Sequence, residues 1–307
     1  MQDHFKQGTP SPKLDLHCHS THSDGTFSPA QLVELATQLG LRAIALTDHD
    51  TVTGLPEFFA AAAPAALVRL GGVEISCMDA GRRLHILGLG VHADSQPLLD
   101  LLAQIREWRR ERNRTMVGRL AGLGLPVPHG EMAQLAEETD VLGRPHLAAL
   151  LVKAGICRDN RQAFARYLGR GKPGFVPRRV CSLDEAIQGI RGAGGVAVWA
   201  HPLTSGSLTV AKFGRLATEY ASRGLDGLEA YYSEFSAHQT QVAERIAADA
   251  GLLLTGGSDF HGEHIPDIGL GTGYGALHVP EDILAPLLQR LEQRQAQAPT
   301  PTVARGA

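Results

Sequence analysis

Histidines and carboxylates recur along this chain in a pattern suited to holding divalent metal. Asp15-Leu16-His17-Cys18-His19 is followed by Asp24, and His49, Glu74, His85, His201, Asp259 and His261 come later. His17 and His19 are two residues apart, as are Asp259 and His261, and a strand places such a pair on one face. One His-x-His pair is a modest signal, and Glu74 or His85 taken alone reads more simply as a satisfied core group. Together the set holds six histidines, two aspartates and one glutamate. Burying them without compensating charge would cost several kcal/mol each. The set has no thiolate and much nitrogen, which suits Mn²⁺, Zn²⁺ or Fe²⁺ better than Ca²⁺ or Mg²⁺ alone. With Glu74 able to bridge, there is room for two or three ions, each with positions left open for water or substrate. Three divalent ions against three carboxylates leave a charge of about +3, which favours an anionic substrate such as a phosphate ester, and ions of this kind turn a bound water into a hydroxide nucleophile at neutral pH. Glu74, Asp259 and His261 are also the candidates for catalytic roles, the last two in managing protons.

Residues this far apart in sequence need a frame that gathers them. Leu14–His19 reads as a short strand. Ser28 is placed to cap a helix with Pro29 at its first position, and Gly40 ends it. Strands are expected at Ala43–Leu46, just before His49, at Gly72–Ser76 around Glu74, and at Leu84–Gly90 around His85. Others are expected at Gly195–Ala200, just before His201, at Leu228–Tyr232, and at Leu252–Thr255, before Asp259. Helical periodicity separates most of them. Strands alternating with helices indicate α/β architecture with a parallel sheet or barrel, whose functional groups sit at the carboxyl ends of strands. Residues 13–95 and 184–292 are expected to form this barrel discontinuously, 96–183 a helical insertion, and 1–12 and 293–307 flexible termini. A last helix is expected at 280–292, and the arginines crowding the start of the insertion (Arg106, Arg109, Arg110, Arg112, Arg114, Arg119) read as a solvated helix face.

Composition narrows the class. The 307 residues are 43% hydrophobic with a net charge of −3, so a sizeable core can be buried, and bulk electrostatic capture of nucleic acid or membrane is disfavoured. Cys18, Cys77, Cys157 and Cys181 lack Cys-x-x-Cys spacing and suit a reducing cytoplasm, so a cytoplasmic protein is expected. The first residues lack the apolar stretch of a signal peptide, no apolar run is long enough to span a membrane, and no obligate protein partner is indicated.

The stretches DLHCHSTHSDGT, LTDHDT, GGVEIS, HILGLG, AHP and GGSDFHG, in that order and spacing, resemble the PHP (polymerase and histidinol phosphatase) family of metallophosphoesterases. The resemblance implies a distorted (β/α)7 barrel with metals at the carboxyl ends of its strands. It also implies the partition of ligands: His17, His19, Glu74 and Asp259 around one ion, Glu74, His85 and His201 around a second, and Asp24, His49 and His261 around a third. Some members carry histidine where this chain has Asp24, which implies a weaker third site. A helical insertion carrying WRRERN, LGRPHLA and YLGRGKPGFVPR is similar to the subgroup that hydrolyses nucleoside 3′,5′-bisphosphates, which includes 5′→3′ exoribonucleases acting on short RNA. On that footing Arg144, His146, Lys172 and Arg178 are expected to contact a substrate phosphate. The alternatives are histidinol phosphatase or another small-molecule monophosphatase, and a non-catalytic domain that binds nucleic acid or assists a polymerase. Against the last stands the complete ligand set.

Overall fold

The structure, a computed structural model, describes residues 14–125, 144–204 and 208–297; the expected leader at 1–12, the end of the chain from 298 and residues 126–143 of the insertion, Gly143 among them, lie outside the described residues. It divides into two compact units, one made of the chain up to Leu99 and from Ser182 on, the other of Asp100–Cys181. No helix among the described residues is long and apolar enough to cross a membrane.

In the first unit, seven strands of one sheet lie in chain order: β1 (Leu14–Cys18), β2 (Ala43–Leu46), β3 (Val68–Asp79), β4 (Arg82–Leu89), β5 (Val196–Trp199), β6 (Gly227–Tyr232) and β7 (Leu253–Gly257). The sheet nearly closes on itself. Asp259 N–H donates to the His17 carbonyl and His19 N–H to the Phe260 carbonyl, both at 2.9 Å, so the end of β1 meets the chain leaving β7. This is the distorted barrel, in a mixed α/β unit. The helices that join the strands carry clear start signals. α1 (Pro29–Gln38) opens on a reciprocal cap in which Ser28 Oγ accepts from Gln31 N–H and Gln31 Oε1 accepts from Ser28 N–H. Pro29 stands in its first turn, where a missing N–H costs nothing.

The expectation of a parallel sheet fails at one strand. β3 and β4 form an antiparallel hairpin from Gly72↔Leu89 to Asp79↔Arg82, and β4 also runs antiparallel to β5. The cause is the turn. Ala80 and Gly81 have φ of 44° and 78°, the two-residue geometry that reverses a strand directly and leaves no room for a crossover helix. His85 therefore sits in the first half of β4, not at a carboxyl end.

Apolar side chains from β1, β2, β4 and β5 pack with Leu284, Leu287 and Leu291 of α2 (Leu284–Gln297), the last helix of the chain, into one core cluster. Leu87 and Leu89 of that cluster share a face of β4 with His85, because side chains alternate along a strand. The core thus leads along the strand directly to the polar site. The last helix continues past the expected end at 292 to Gln297. Buried Asp226 explains this: it pairs with Arg290 at 2.9 Å and with Arg294, pinning the final turns.

The second unit has its own core. Met116, Val117 and Leu120 of α3 (Gln96–Gly122) pack with Leu147, Leu150 and Leu151 of α4 (Arg144–Lys153) and with Leu168. The solvated-face reading of its arginines is half right. Arg110 and Arg114 lie on the surface beside Glu107, but Arg109 and Arg112 are buried, and Arg112 Nε donates to the Val176 carbonyl at 3.0 Å. A buried guanidinium is stable here because a backbone carbonyl of the following loop accepts from it.

Candidate metal centre

Each candidate ligand of the barrel comes from a strand or from the residues just after one. His17 and His19 end β1 and are fully buried. His49 follows β2, and its backbone bridges to Glu74 of β3. His85 lies on β4, His201 follows β5, and Asp259 and His261 follow β7. Asp24 sits in the turn after β1. That turn is shaped by Asp48, whose carboxylate accepts from Ser20 N–H at 2.7 Å, Ser20 Oγ at 2.6 Å and Ser23 Oγ at 2.5 Å.

The fold brings these residues together around Glu74. Its Oε2 lies 3.4 Å from His17 Nε2, 3.3 Å from His19 Nε2 and 2.9 Å from His49 Nδ1. Its Oε1 lies 2.7 Å from His85 Nδ1 and 3.1 Å from His201 Nε2. Asp259 Oδ1 adds contacts at 3.3 Å to His17 Nε2 and 3.0 Å to His19 Nε2. Asp24 faces the other side, with Oδ1 3.3 Å from His261 Nε2 and Oδ2 3.7 Å from His49 Nε2. Three overlapping groups have donor atoms within 4.8 Å of one another: His17, His19, Glu74 and Asp259; His19, Asp24, His49 and His261; and His49, Glu74 and His85. His201 joins the last through Glu74.

Many of these atoms are buried without an aligned hydrogen-bond partner, namely His17 Nε2, both ring nitrogens of His19, His49 Nδ1, His85 Nδ1, Asp24 Oδ1, Glu74 Oε2 and Asp259 Oδ1. Buried polar atoms are rarely left so. Lone pairs converging at these spacings on nitrogen and carboxylate donors fit divalent ions, so the residues pass the test for a metal site. Without an ion the same contacts make His17, His19, His49 and His201 more basic. Burial pushes His19 down, but the close carboxylates of Asp259 and Glu74 outweigh it and raise it to about 10. Burial likewise opposes, and Glu229, Asp259 and Glu74 overcome, in holding His17 well above the usual imidazole range. Burial works to raise Glu74, but the surrounding His49, His85 and His17 hold it well below the carboxylate range. His85 is lowered, because burial exceeds what Glu74 returns. An entering cation therefore replaces protons at several of these rings.

Three of the non-glycine residues with positive φ are at the site: Asp50 at 53°, His201 at 31° and Asp259 at 58°. Such strain persists where the surroundings fix a functional geometry.

Sequence reasoning missed the groups that aim the ligands. Glu229 of β6 is fully buried; its Oε1 lies 3.0 Å from His17 Nδ1, and its Oε2 accepts from His201 N–H at 2.8 Å. A proton on Nδ1 turned to Glu229 leaves the Nε2 lone pair facing Glu74 and Asp259. Tyr232 OH donates to Asp259 Oδ2 at 2.9 Å, leaving Oδ1 for the cluster. His261 Nδ1 is held by the Asp259 carbonyl at 2.8 Å, which frees Nε2 toward Asp24. The available signal was a glutamate inside the apolar run Leu228–Tyr232, the same feature that marked Glu74. Partners of this kind orient ligands and tune their basicity, so Glu229→Gln is expected to weaken divalent-metal affinity by about 10–100-fold while the fold is kept. Chelator competition measures this; an unchanged affinity would remove Glu229 from the site.

His22 and Cys18 play other parts. His22 is partly exposed beside Thr53 and Glu57, and Cys18 is buried with its thiol 3.2 Å from the Ala45 carbonyl. The four expected phosphate contacts belong to the second unit. The Arg144 guanidinium lies over the rings of Phe164 and Phe175, at 5.6 and 5.7 Å from their centres. His146 and Arg178 are half-buried and Lys172 is exposed.

Comparison with known proteins agrees with this geometry. Residues 15–123 match the PHP domain family. A 5′-3′ exoribonuclease of Haemophilus influenzae is 37% identical over 81% of this chain and 90% of its own length. A 3′,5′-nucleoside bisphosphate phosphatase of Chromobacterium violaceum is 36% identical over 83% of this chain and 90% of its own. The crystal structure of a protein of Bifidobacterium adolescentis, assigned as a metal-dependent phosphoesterase, superposes with a TM-score of 0.74 at 34% identity, covering 92% of this chain and 97% of the other.

Proposed function

Because the chain belongs to the PHP domain family of metal-dependent phosphoesterases, we propose that it removes the 3′-phosphate of nucleoside 3′,5′-bisphosphates such as 3′-phosphoadenosine 5′-phosphate and shortens 5′-phosphorylated RNA in the 5′→3′ direction. The observation that carries this reading is the convergence of five histidines on one buried carboxylate, Glu74, flanked by Asp259 and Asp24. In this reading His17, His19, Glu74 and Asp259 hold one ion, Glu74, His85 and His201 a second, and Asp24, His49 and His261 a third, with Mn²⁺ favoured over Zn²⁺ or Fe²⁺. Ions held there supply charge stabilisation for a phosphoryl group and acidify water.

The chain's own residues do the rest. Glu229 and the Asp259 carbonyl hold His17 and His261 with one nitrogen each turned inward. Tyr232 fixes the Asp259 carboxylate, and Asp259 and His261 are proposed to pass a proton. Cations of the insertion, Arg144, His146, Lys172 and Arg178, are proposed to take the second phosphate. Their chemistry and the two-phosphate substrate of the Chromobacterium relative support this.

One assay tests the reading. 3′-Phosphoadenosine 5′-phosphate, AMP and a 5′-phosphorylated RNA pentamer are offered to protein loaded with Mn²⁺, Zn²⁺ or Fe²⁺. The bisphosphate is expected to turn over at least about 10²-fold more efficiently than AMP, a preference of the size that charged hydrogen bonds to a second phosphate give. Equal efficiency on AMP and the bisphosphate would favour a general monophosphatase.

A further inference from the structure

A cavity of about 110 Å³ opens beside the metal centre, lined by Arg82, Arg83, His85, His201, Pro202 and Thr204 among others. One wall consists of the two imidazoles that meet Glu74 Oε1. Arg83 and His85 lie on the same face of β4, about 6.7 Å apart along the strand. The tight turn at Ala80-Gly81 puts both arginines at the very start of that strand, Arg83 exposed and Arg82 half-buried.

Neither guanidinium has a hydrogen bond or ion pair with any described residue. The acid in register with Arg82 across the hairpin is already taken. Asp79, opposite Arg82 in the hairpin, pairs with Arg223 at 2.8 Å and accepts from Tyr220 OH at 3.2 Å. The two side chains leave the strand on opposite faces and line the cavity from two sides, so both add positive charge to an opening in a chain of net charge −3. A planar fork of donors at the edge of a cavity is the usual arrangement for recognising a phosphate. The volume is well below the roughly 300–1,000 Å³ of a site that engulfs a whole small ligand, so it suits one group of a larger molecule.

We propose that Arg82 and Arg83 form an anion subsite on the barrel that binds a phosphodiester of an RNA substrate beyond the bond being cleaved. The inference rests on the function proposed above. A nucleoside bisphosphate has two phosphates, one for the metal centre and one for the insertion. A third cationic site next to His85 and His201 serves only a substrate whose chain continues. The pair thus acts on specificity, favouring oligonucleotides over free nucleotides.

The test compares wild-type, Arg82→Ala/Arg83→Ala and Arg82→Lys/Arg83→Lys proteins, metal-loaded, on the 5′-phosphorylated RNA pentamer and on 3′-phosphoadenosine 5′-phosphate. In the alanine variant the ratio of kcat/KM for the pentamer to that for the bisphosphate is expected to fall at least about tenfold, through a rise in KM. The lysine variant is expected to recover most of it. The slope of log affinity against log salt for the pentamer should become shallower by about 0.7 for each phosphate that the alanine variant no longer neutralises. An unchanged ratio, or an equal fall on both substrates, overturns the subsite. If the wild-type protein cleaves neither substrate, the proposed function has failed and the subsite is decided separately. Fluorescence anisotropy of the uncleaved pentamer should then show about tenfold weaker binding to the alanine variant, and equal binding overturns the proposal.

Discussion

Glu74→Gln is expected to lower kcat on any phosphate ester by roughly 10³-fold or more and to leave the protein with fewer bound ions, with little change in fold. The reason lies in what the side chain touches. Its two oxygens meet nitrogens of five histidines between 2.7 and 3.4 Å. No other carboxylate of the cluster spans its two sides: Asp259 reaches His17, His19 and His261, and Asp24 reaches His19, His49 and His261. Glutamine keeps the shape but presents an NH₂ donor where a second negative oxygen stood, so bridging is lost on one side. Glu74→Asp keeps the charge but withdraws it by one methylene, and both oxygens then fall short of one set of rings. The two variants should therefore fail alike in activity and differ in metal content, the aspartate retaining more. Metal analysis alongside steady-state kinetics reads both. A glutamine variant with its full complement of ions and undiminished turnover would mean that Glu74 is only a buried partner for imidazolium groups.

The set of polar residues was legible in the sequence because each interrupts an apolar strand or follows one; their grouping around Glu74 was implied only by the family resemblance. Period-two spacing explains His17 and His19 at the end of β1, but Asp259 and His261 lie beyond the end of β7, where Asp259 has a φ of 58° and strand alternation no longer applies. The barrel was legible through the alternation of short apolar runs with helical periodicity. The features that were not legible depend on pairing between distant segments. The antiparallel course of β4 hangs on a two-residue turn, Ala80-Gly81, whose significance is a pair of positive φ angles. Glu229 interrupts an apolar run as Glu74 does, but only the fold sets it against His17, which is 212 positions away. Arg109 and Arg112 have the composition of a solvated surface and are buried, and the loop at Val176 returns to offer Arg112 a carbonyl acceptor. Asp50, at 53°, is strained by its place between Glu74 and Ser76, which one sequence cannot reveal. Local rules predict local periodicities; the groups that aim the ligands are fixed by closure of the sheet.

That closure supplies the second large effect. Asp15→Ala is expected to destabilise the protein by about 3–5 kcal/mol and to weaken metal binding although Asp15 touches none of the metal-facing atoms. Its carboxylate is fully buried where β1 meets β7. Oδ1 accepts from His17 N–H at 3.2 Å and Ser258 N–H at 2.9 Å; Oδ2 accepts from Ser258 Oγ at 2.5 Å and Gly271 N–H at 2.6 Å. Alanine would leave those donors buried and unmet, and they include His17 itself and Ser258, the neighbour of Asp259. Burial works against the charge here, raising the Asp15 pKa despite the four hydrogen bonds, so the carboxylate is retained for its acceptors. Asp15→Asn keeps two acceptor contacts and turns an NH₂ toward Gly271 N–H, so its loss should fall between wild type and alanine. The seam has no slack to absorb either change. A Cβ on Gly257 would lie 2.4 Å from the His17 nitrogen and 2.5 Å from its Cβ, so the backbones there are already as close as they can pack. Urea unfolding of the metal-free protein gives the stability and chelator competition the affinity. The two should fall together in the order wild type, asparagine, alanine. If alanine lost metal affinity with its unfolding midpoint unchanged, Asp15 would be acting on the ions through its charge, and the seam would be held by the backbone pairing of His17 with Asp259 and His19 with Phe260 alone.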